Sequence, residues 1–281
     1  MDKFLDGVES GSRGSDLTKN FADPLAYAAL CQFLGLPATG RALIDAWLHT
    51  FEDPAIPPAG KQHAGKEMMA YLKNIVRSAS APAGSLLSHL QSTAKESTDT
   101  SLTEHELTCI FVTLMIAGYE TLRNMISLSL LTLIVQPDLA EELREEPALM
   151  PAAVDEFARY YSVLHRPLPR RVMRDVVISG KNVRAGEYIA VSLPAANWDE
   201  KYFKNPEKIN FRRSMEAPHL SFGHGIHHCL GRALASSVLK SVIYRTQQRM
   251  PRLRLESGQK SIKFLHHRLF YGVDMLSVEW D

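Results

Sequence analysis

Residues 101–137 read "SLTEHELTCIFVTLMIAGYETLRNMISLSLLTLIVQP", and this stretch constrains the fold more than any other. Thr103 and Glu106 form a T-x-x-E capping box, the signature of a helix start. Apolar residues then recur with no proline before Pro137, so the spacing predicts one helix of over thirty residues, about 103–135. At 1.5 Å per residue it extends roughly 45–50 Å. A globular chain uses such a helix as a central beam with other helices packed round it. Its most apolar part, Leu107 to Val135, is long enough to be weighed as a membrane span. Glu120, Arg123 and Asn124 interrupt it, and "CIFVTLMIAG" alone is too short, so a buried core helix is the reading.

The rest of the chain can supply that packing. It has 281 residues, 45% of them hydrophobic, enough for one sizeable core. With 32 basic and 31 acidic residues the net charge is +1, which argues against an electrostatic grip on nucleic acid. The start, "MDKFLDGVESGSRGSD", reads as a flexible N-terminus over 1–15 and neither signal peptide nor membrane anchor. A cytoplasmic chain without a membrane partner is expected. Cys31, Cys109 and Cys229 are odd in number and far apart, so neither a disulfide framework nor a CxxC zinc site follows. Cys31 and Cys109 lie among apolar residues and read as buried thiols.

The order of elements predicts a mainly α protein with a small β component, in a single domain over 1–281. A helical part spans 16–162. Asp23 is the expected N-cap of a helix with Pro24 at its first position, ending near Gly35. Further helices are predicted over 39–51, 61–79, "AGSLLSHLQS", "PDLAEELREEP" and "AAVDEFARYYS", with a proline-rich loop over 52–60. The polar "AKESTDTS" (94–101) reads as a mobile loop. From 163 to 281 the pattern changes. "RRVMRDVVISGKNVRAGEYIAVSL" alternates, with turns at Gly180 and Gly186, and reads as short strands in a small sheet. An irregular meander follows over 194–213, then a glycine-rich cysteine loop, a helix beginning "ALASSVLK", and short strands towards the C-terminus.

The cysteine loop is "SFGHGIHHCLGRALA", 221–235. A lone cysteine before a helix is usually a small buried hydrophobe. Here it stands within one of three separated motifs. "AGYET" (117–121) fits A-G-x-[DE]-T, Glu156 and Arg159 in "EFAR" fit E-x-x-R, and "SFGHGIHHCLG" fits F-x-x-G-x-x-x-C-x-G, with Phe222, Gly225, Cys229 and Gly231 in its fixed places. Glu156 and Arg159 could also simply pair along one helical face.

In this order the motifs resemble those of soluble bacterial cytochromes P450, over about Asp16 to Trp280. The resemblance implies that Cys229 is the haem-thiolate cysteine and that His227 and Arg170 face haem propionates, with Arg171 the alternative to Arg170. A thiolate ligand pushes electron density to the iron. Glu120 and Thr121 would assist proton delivery. Glu156 and Arg159 would lock the meander to the core, with an arginine or histidine near 212 or 213 as partner. Phe222, Gly225 and Gly231 would be structural.

The sequence also departs from the family. "DLTKNFADPL" matches the entry to the family's E helix, so a fold lacking helices A to D is expected, with part of the haem and substrate wall gone. His228 replaces an apolar residue, and Leu122 stands where a second threonine often follows. A homodimer or rearranged helices could bury the exposed face. These departures favour a protein without cofactor or metal, resembling haem-free P450-like cyclases of polyether and polyketide pathways. Its chemistry would be a redox-neutral cyclisation, cycloaddition or rearrangement of a hydrophobic polyketide-like small molecule in the vacated haem space. Glu120, Thr121 and Arg166 are its candidate catalytic residues. Met115, Tyr119, Arg123, His165, Arg170 and His227 are its candidate substrate contacts, the last two for an acidic head group. The cavity is expected between the central helix and the C-terminal part. Two alternatives stand beside this: a monooxygenase that keeps haem b on Cys229, and an inactive accessory protein that activates a pathway partner.

Overall fold

Thr103 does begin the long helix. Its hydroxyl accepts from the Glu106 amide at 3.2 Å, and its own amide donates to Glu106 Oε2 at 2.8 Å. The computed structural model describes residues 2–9, 14–53, 55–77, 81–96, 102–214, 217–256 and 262–280. In chain order the helices are α1 (Asp2–Glu9), α2 (Asp23–Leu34), α3 (Arg41–Glu52), α4 (Pro58–Arg77), α5 (Leu86–Glu96), α6 (Glu104–Val135), α7 (Pro137–Glu145), α8 (Met150–Tyr161), α9 (Leu193–Asn197) and α10 (Arg232–Arg249). The strands are β1 (Gly14–Asp16), β2 (Pro169–Arg171), β3 (Val176–Ile178), β4 (Lys181–Val183), β5 (Tyr188–Ala190), β6 (Arg254–Leu255) and β7 (Ser277–Glu279). The fold is mainly α with a small β component.

The beam is α6, packed by α2, α4, α7, α8 and α10. Every residue from Leu122 to Leu133 is buried, so the helix is covered all round over three turns. By length and composition α6 could cross a membrane. Its burial by neighbouring helices makes it a core helix instead. Gly118 lets α2 come close: a Cβ there would stand 3.0 Å from Leu30 Cδ1.

Several elements differ from the sequence reading. The flexible start expected over 1–15 is in part ordered; residues 1 and 10–13 lie outside the described residues. Helix α1 buries Leu5 and Val8, and Arg249 on α10 reaches Asp6 at 2.7 Å. Strand β1 then pairs with β7, Ser15 opposite Val278, so the two ends of the chain share one antiparallel sheet in the order β1-β7-β6. Asp23 does not cap α2. A π-helical turn, Thr18–Ala22, runs straight into the helix, and the Asp23 amide already donates to Thr18 O. With no orphan amide to satisfy, its carboxylate turns to Arg123.

Gly35 ends α2 in the left-handed region, φ +84°. Helix α4 begins three residues early because Pro58 fits a first turn. Residues 97–101 of the expected mobile loop lie outside the described residues. The strands of 169–190 make two separate antiparallel ladders, β2 with β5 and β3 with β4, in place of one small sheet. Cys31 is buried as expected, but Cys109 is only half-buried.

The E-x-x-R pair is a buried hub. Arg159 is fully buried, with Nε 2.8 Å and Nη2 2.9 Å from the two oxygens of Glu156. Nη1 also donates to the carbonyl of Asn197 and Nη2 to that of Pro206, both at 2.9 Å. Arg213 is the third member, its Nε 3.1 Å from both Glu156 oxygens. Arg212 faces outward to Glu142 on α7 and Glu146 just after it. Removing one partner strands a buried charge, so Glu156→Ala should cost about 3–5 kcal/mol in denaturant unfolding. A wild-type unfolding midpoint would place the pair among idle ion pairs.

Candidate active site at the cysteine loop

The loop before α10 is tied down at both ends. At its entry the buried Asn197 side chain accepts from the Leu220 amide at 2.7 Å and donates to Ser221 Oγ at 2.8 Å. Ser221 Oγ in turn donates to Ala158 O on α8 at 2.6 Å. Phe222 lies under the Arg232 guanidinium at 5.3 Å and beside the His219 ring at 5.6 Å. Arg232 and His219 both face Asp155, and the nearby His219 ring is the main cause that holds the Asp155 carboxyl below its usual value. At the far end, the Cys229 amide donates to Phe222 O at 2.8 Å. Gly223 (φ +71°) and Gly225 (φ +75°) make the reversal between them.

This frame presents the Cys229 thiol outward, two residues before the N-cap of α10 at Gly231. Ile226 and Leu230 flank it, 96% and 84% exposed. His227 and Arg170 are also exposed, and among the described residues neither is paired with a carboxylate. Arg170 reaches only Leu168 O, at 3.5 Å on its own strand. An outward thiol, exposed apolar flanks, and an arginine and a histidine with no carboxylate partner among the described residues fit a haem with its two propionates.

The second motif lies on α6. The Thr121 hydroxyl donates to Ala117 O at 2.7 Å on a half-exposed face. Glu120 is buried, with Oε2 accepting from Arg123 Nη1 at 2.9 Å. Arg123 Nε is ion-paired with Asp23 on α2. The expected lining of Met115, Tyr119 and Arg123 is not found. All three are buried on the faces of α6 that α2 and its neighbours cover. The Tyr119 ring meets Tyr27 edge-on at 5.7 Å, and its hydroxyl donates to Asp45 on α3. These positions belong to helix packing.

His165 is half-buried and stacks on Tyr271 at 4.4 Å. Burial, with the neighbouring His266, lowers its imidazole below the ordinary value. Arg166 is exposed beside it, and no contact brings its side chain to Glu120 or Thr121. A groove of about 570 Å³ lies on the other side of α6 from that expected, among Phe51, Lys61, Met69, Val112 and Ile116 of α3, α4 and α6. Its residues are ordinary helix positions in the sequence. So is Asn197, whose role comes wholly from its neighbours.

A family model described as Cytochrome P450 matches residues 62–251. The chain belongs to the cytochrome P450 family. It is 34% identical to Cytochrome P450 105C1 of a Streptomyces species over 286 residues, covering 99% of this chain and 72% of that relative. It is 31% identical to mycinamicin IV hydroxylase/epoxidase of Micromonospora griseorubida, over 99% of this chain and 70% of the other. Among solved structures, that of the mycinamicin VIII C21 methyl hydroxylase MycCI of the same organism, bound to mycinamicin VIII, is similar with a TM-score of 0.91 at 31% identity. The match covers 99% of this chain and 71% of that one.

These likenesses correct two expectations. A cofactor-free protein is contradicted, because the relatives are cytochromes P450, haem b enzymes as a class. The cyclase, cycloaddition and isomerase reading conflicts with relatives named as hydroxylases and an epoxidase. For this P450 the loop frame should be measurable apart from catalysis. Asn197→Ala leaves buried partners unsatisfied and should cost about 1–3 kcal/mol. It should also speed hydrogen exchange at the Leu220 and Cys229 amides; unchanged exchange would mean that the loop is held elsewhere.

Proposed function

We propose that this P450 is a haem-thiolate monooxygenase acting on a hydrophobic, polyketide-like small molecule. The observation that carries the reading is the outward Cys229 thiol, held by the Phe222 carbonyl and Gly223–Gly225 turn at the start of α10. Haem, when bound, would supply the activation of oxygen, and Cys229 would hold its iron. Cys229 lies just before the N-terminus of α10, the positive end of the helix dipole. Arg170 and His227 would neutralise the propionates. Ile226 and Leu230 would cover part of the macrocycle.

On the opposite side, Thr121 keeps its oxygen lone pairs available, because its own hydrogen is committed to Ala117 O. It can therefore accept a hydrogen bond from water or substrate at the half-exposed face of α6. Glu120 is the buried acid next to it, paired with Arg123 on the other face, and would relay a proton to the Thr121 face only on turning away from Arg123. Relatives named for mycinamicin support an apolar polyketide substrate.

The test is spectroscopic. Purified chain loaded with haem should show the red-shifted Soret band of a thiolate-ligated ferrous carbon monoxide adduct, and Cys229→Ser should abolish it while circular dichroism stays unchanged. A thiolate spectrum surviving in Cys229→Ser would overturn the assignment. Arg170→Met should weaken haem retention about tenfold, the effect of losing a charge-assisted hydrogen bond of ~1.5 kcal/mol. Retention equal to wild type would remove Arg170 from the propionate site.

A further inference from the structure

Three carboxylates and two arginines converge where α2, α3 and α6 meet, and the monooxygenase reading uses only Glu120. Arg123 is 5% exposed, and its guanidinium is shared: Nη1 lies 2.9 Å from Glu120 Oε2, and Nε is paired with Asp23. The same Nη1 approaches Asn124 Oδ1 at 3.5 Å. Two buried carboxylates thus face one buried cation. If all are ionised, the triad carries an uncompensated negative charge away from water, which is costly. Three buried atoms of the cluster make no hydrogen bond: the acceptors Glu120 Oε1 and Asp23 Oδ1, the latter ion-paired with Arg123, and the donor Asn124 Nδ2.

We propose that Asp23 is a positioning residue for Glu120, acting through Arg123: ionised, it shares the guanidinium with Glu120, and on taking a proton it leaves the guanidinium to Glu120 alone. The proposal rests on Glu120 being the acid of the oxygenase site. The groups facing Asp23 are Arg123 and Glu120 on α6 and Asp45 and Arg41 on α3. Burial pushes the Asp23 carboxyl up from its ordinary value to about 6; Asp45 and Glu120 push the same way, and Arg123 and Arg41 oppose them. Asp23 therefore changes charge near neutral pH. Above that point Arg123 is divided between two anions. Below it, Arg123 and Glu120 form a closed neutral pair, and Glu120 is held away from the Thr121 face.

The sign for stability follows. The folded state holds the Asp23 proton more tightly than the unfolded chain. Its contribution is therefore full below about pH 4 and is lost as the pH rises through about 6.

The test follows Asp23 directly, with carbon-13 label on aspartate side chains in the haem-loaded protein. Wild type should show a carboxyl titrating near pH 6 that is absent in Asp23→Asn. Glu120→Gln should shift this titration to lower pH, because it removes a negative neighbour. The melting temperature of wild type relative to Asp23→Asn should fall as the pH rises from about 4 to about 7. Product formation should change across the same pH window in wild type and lose that step in Asp23→Asn. If no carboxyl between pH 5 and 7 depends on Asp23, or Glu120→Gln leaves its titration in place, the proposal is overturned. If the titration behaves as stated but Glu120→Gln keeps full turnover, the Glu120 role falls, and the positioning role with it, while the coupled carboxyl pair stands. Should Asp23→Asn fail to fold, Asp45→Asn gives the second measurement. It must also lower the Asp23 titration, and an unchanged value would count against the cluster.

Discussion

The Arg159 guanidinium is fully buried, and much of the C-terminal half takes its shape from satisfying it. A charge removed from water needs every hydrogen matched. Glu156 supplies two acceptors, and main-chain carbonyls of Asn197 and Pro206 supply others. Those carbonyls belong to a segment with little regular structure. The meander is therefore folded around one side chain, much as a metal site is folded around its ion. Arg213 closes the hub and carries the chain onward, reaching Lys208 O at 2.6 Å.

From this hub the order passes to the cysteine loop through one residue. Asn197 offers its carbonyl to Arg159 and its side chain to Leu220 and Ser221. Ser162 at the end of α8 also bonds to it, at 2.7 Å. The position of Cys229 is thus linked, through hydrogen bonds and the segment 220–222, to a residue pair on α8 outside the loop. This division suits a site whose reactive atom must be outward-facing and still fixed.

The beam α6 has two characters. Towards α2 and α3 it buries Tyr119, Glu120 and Arg123 in a polar cluster closed off from the rest of the core. On its half-exposed side it shows Thr113, Ala117 and Thr121, one turn apart. Adjacent residues in the sequence, Glu120 and Thr121, point into these two environments because successive helical positions are about 100° apart. The pairing of a buried acid with an accessible hydroxyl is a direct product of helical geometry.

By itself the sequence determined the elements whose signals are local. The capping box at Thr103, the stop at Gly35, the turn at Gly180 and the helix of 232–249 were all legible, because caps, glycines and apolar periodicity act within a few residues. The three spaced motifs determined the family, the hub of Glu156 and Arg159, and Arg213 as one of two candidates for its partner. Only the tertiary structure decided what depends on residues far apart in the chain. It assigned Asp23 to Arg123 instead of a helix end, moved Met115 and Tyr119 into the core, and paired β1 with β7 across some 260 residues. Asn197 became a linchpin although nothing local marks it. A side chain's periodicity states that one face of its helix is buried. Which neighbour covers that face is fixed only when the helices pack.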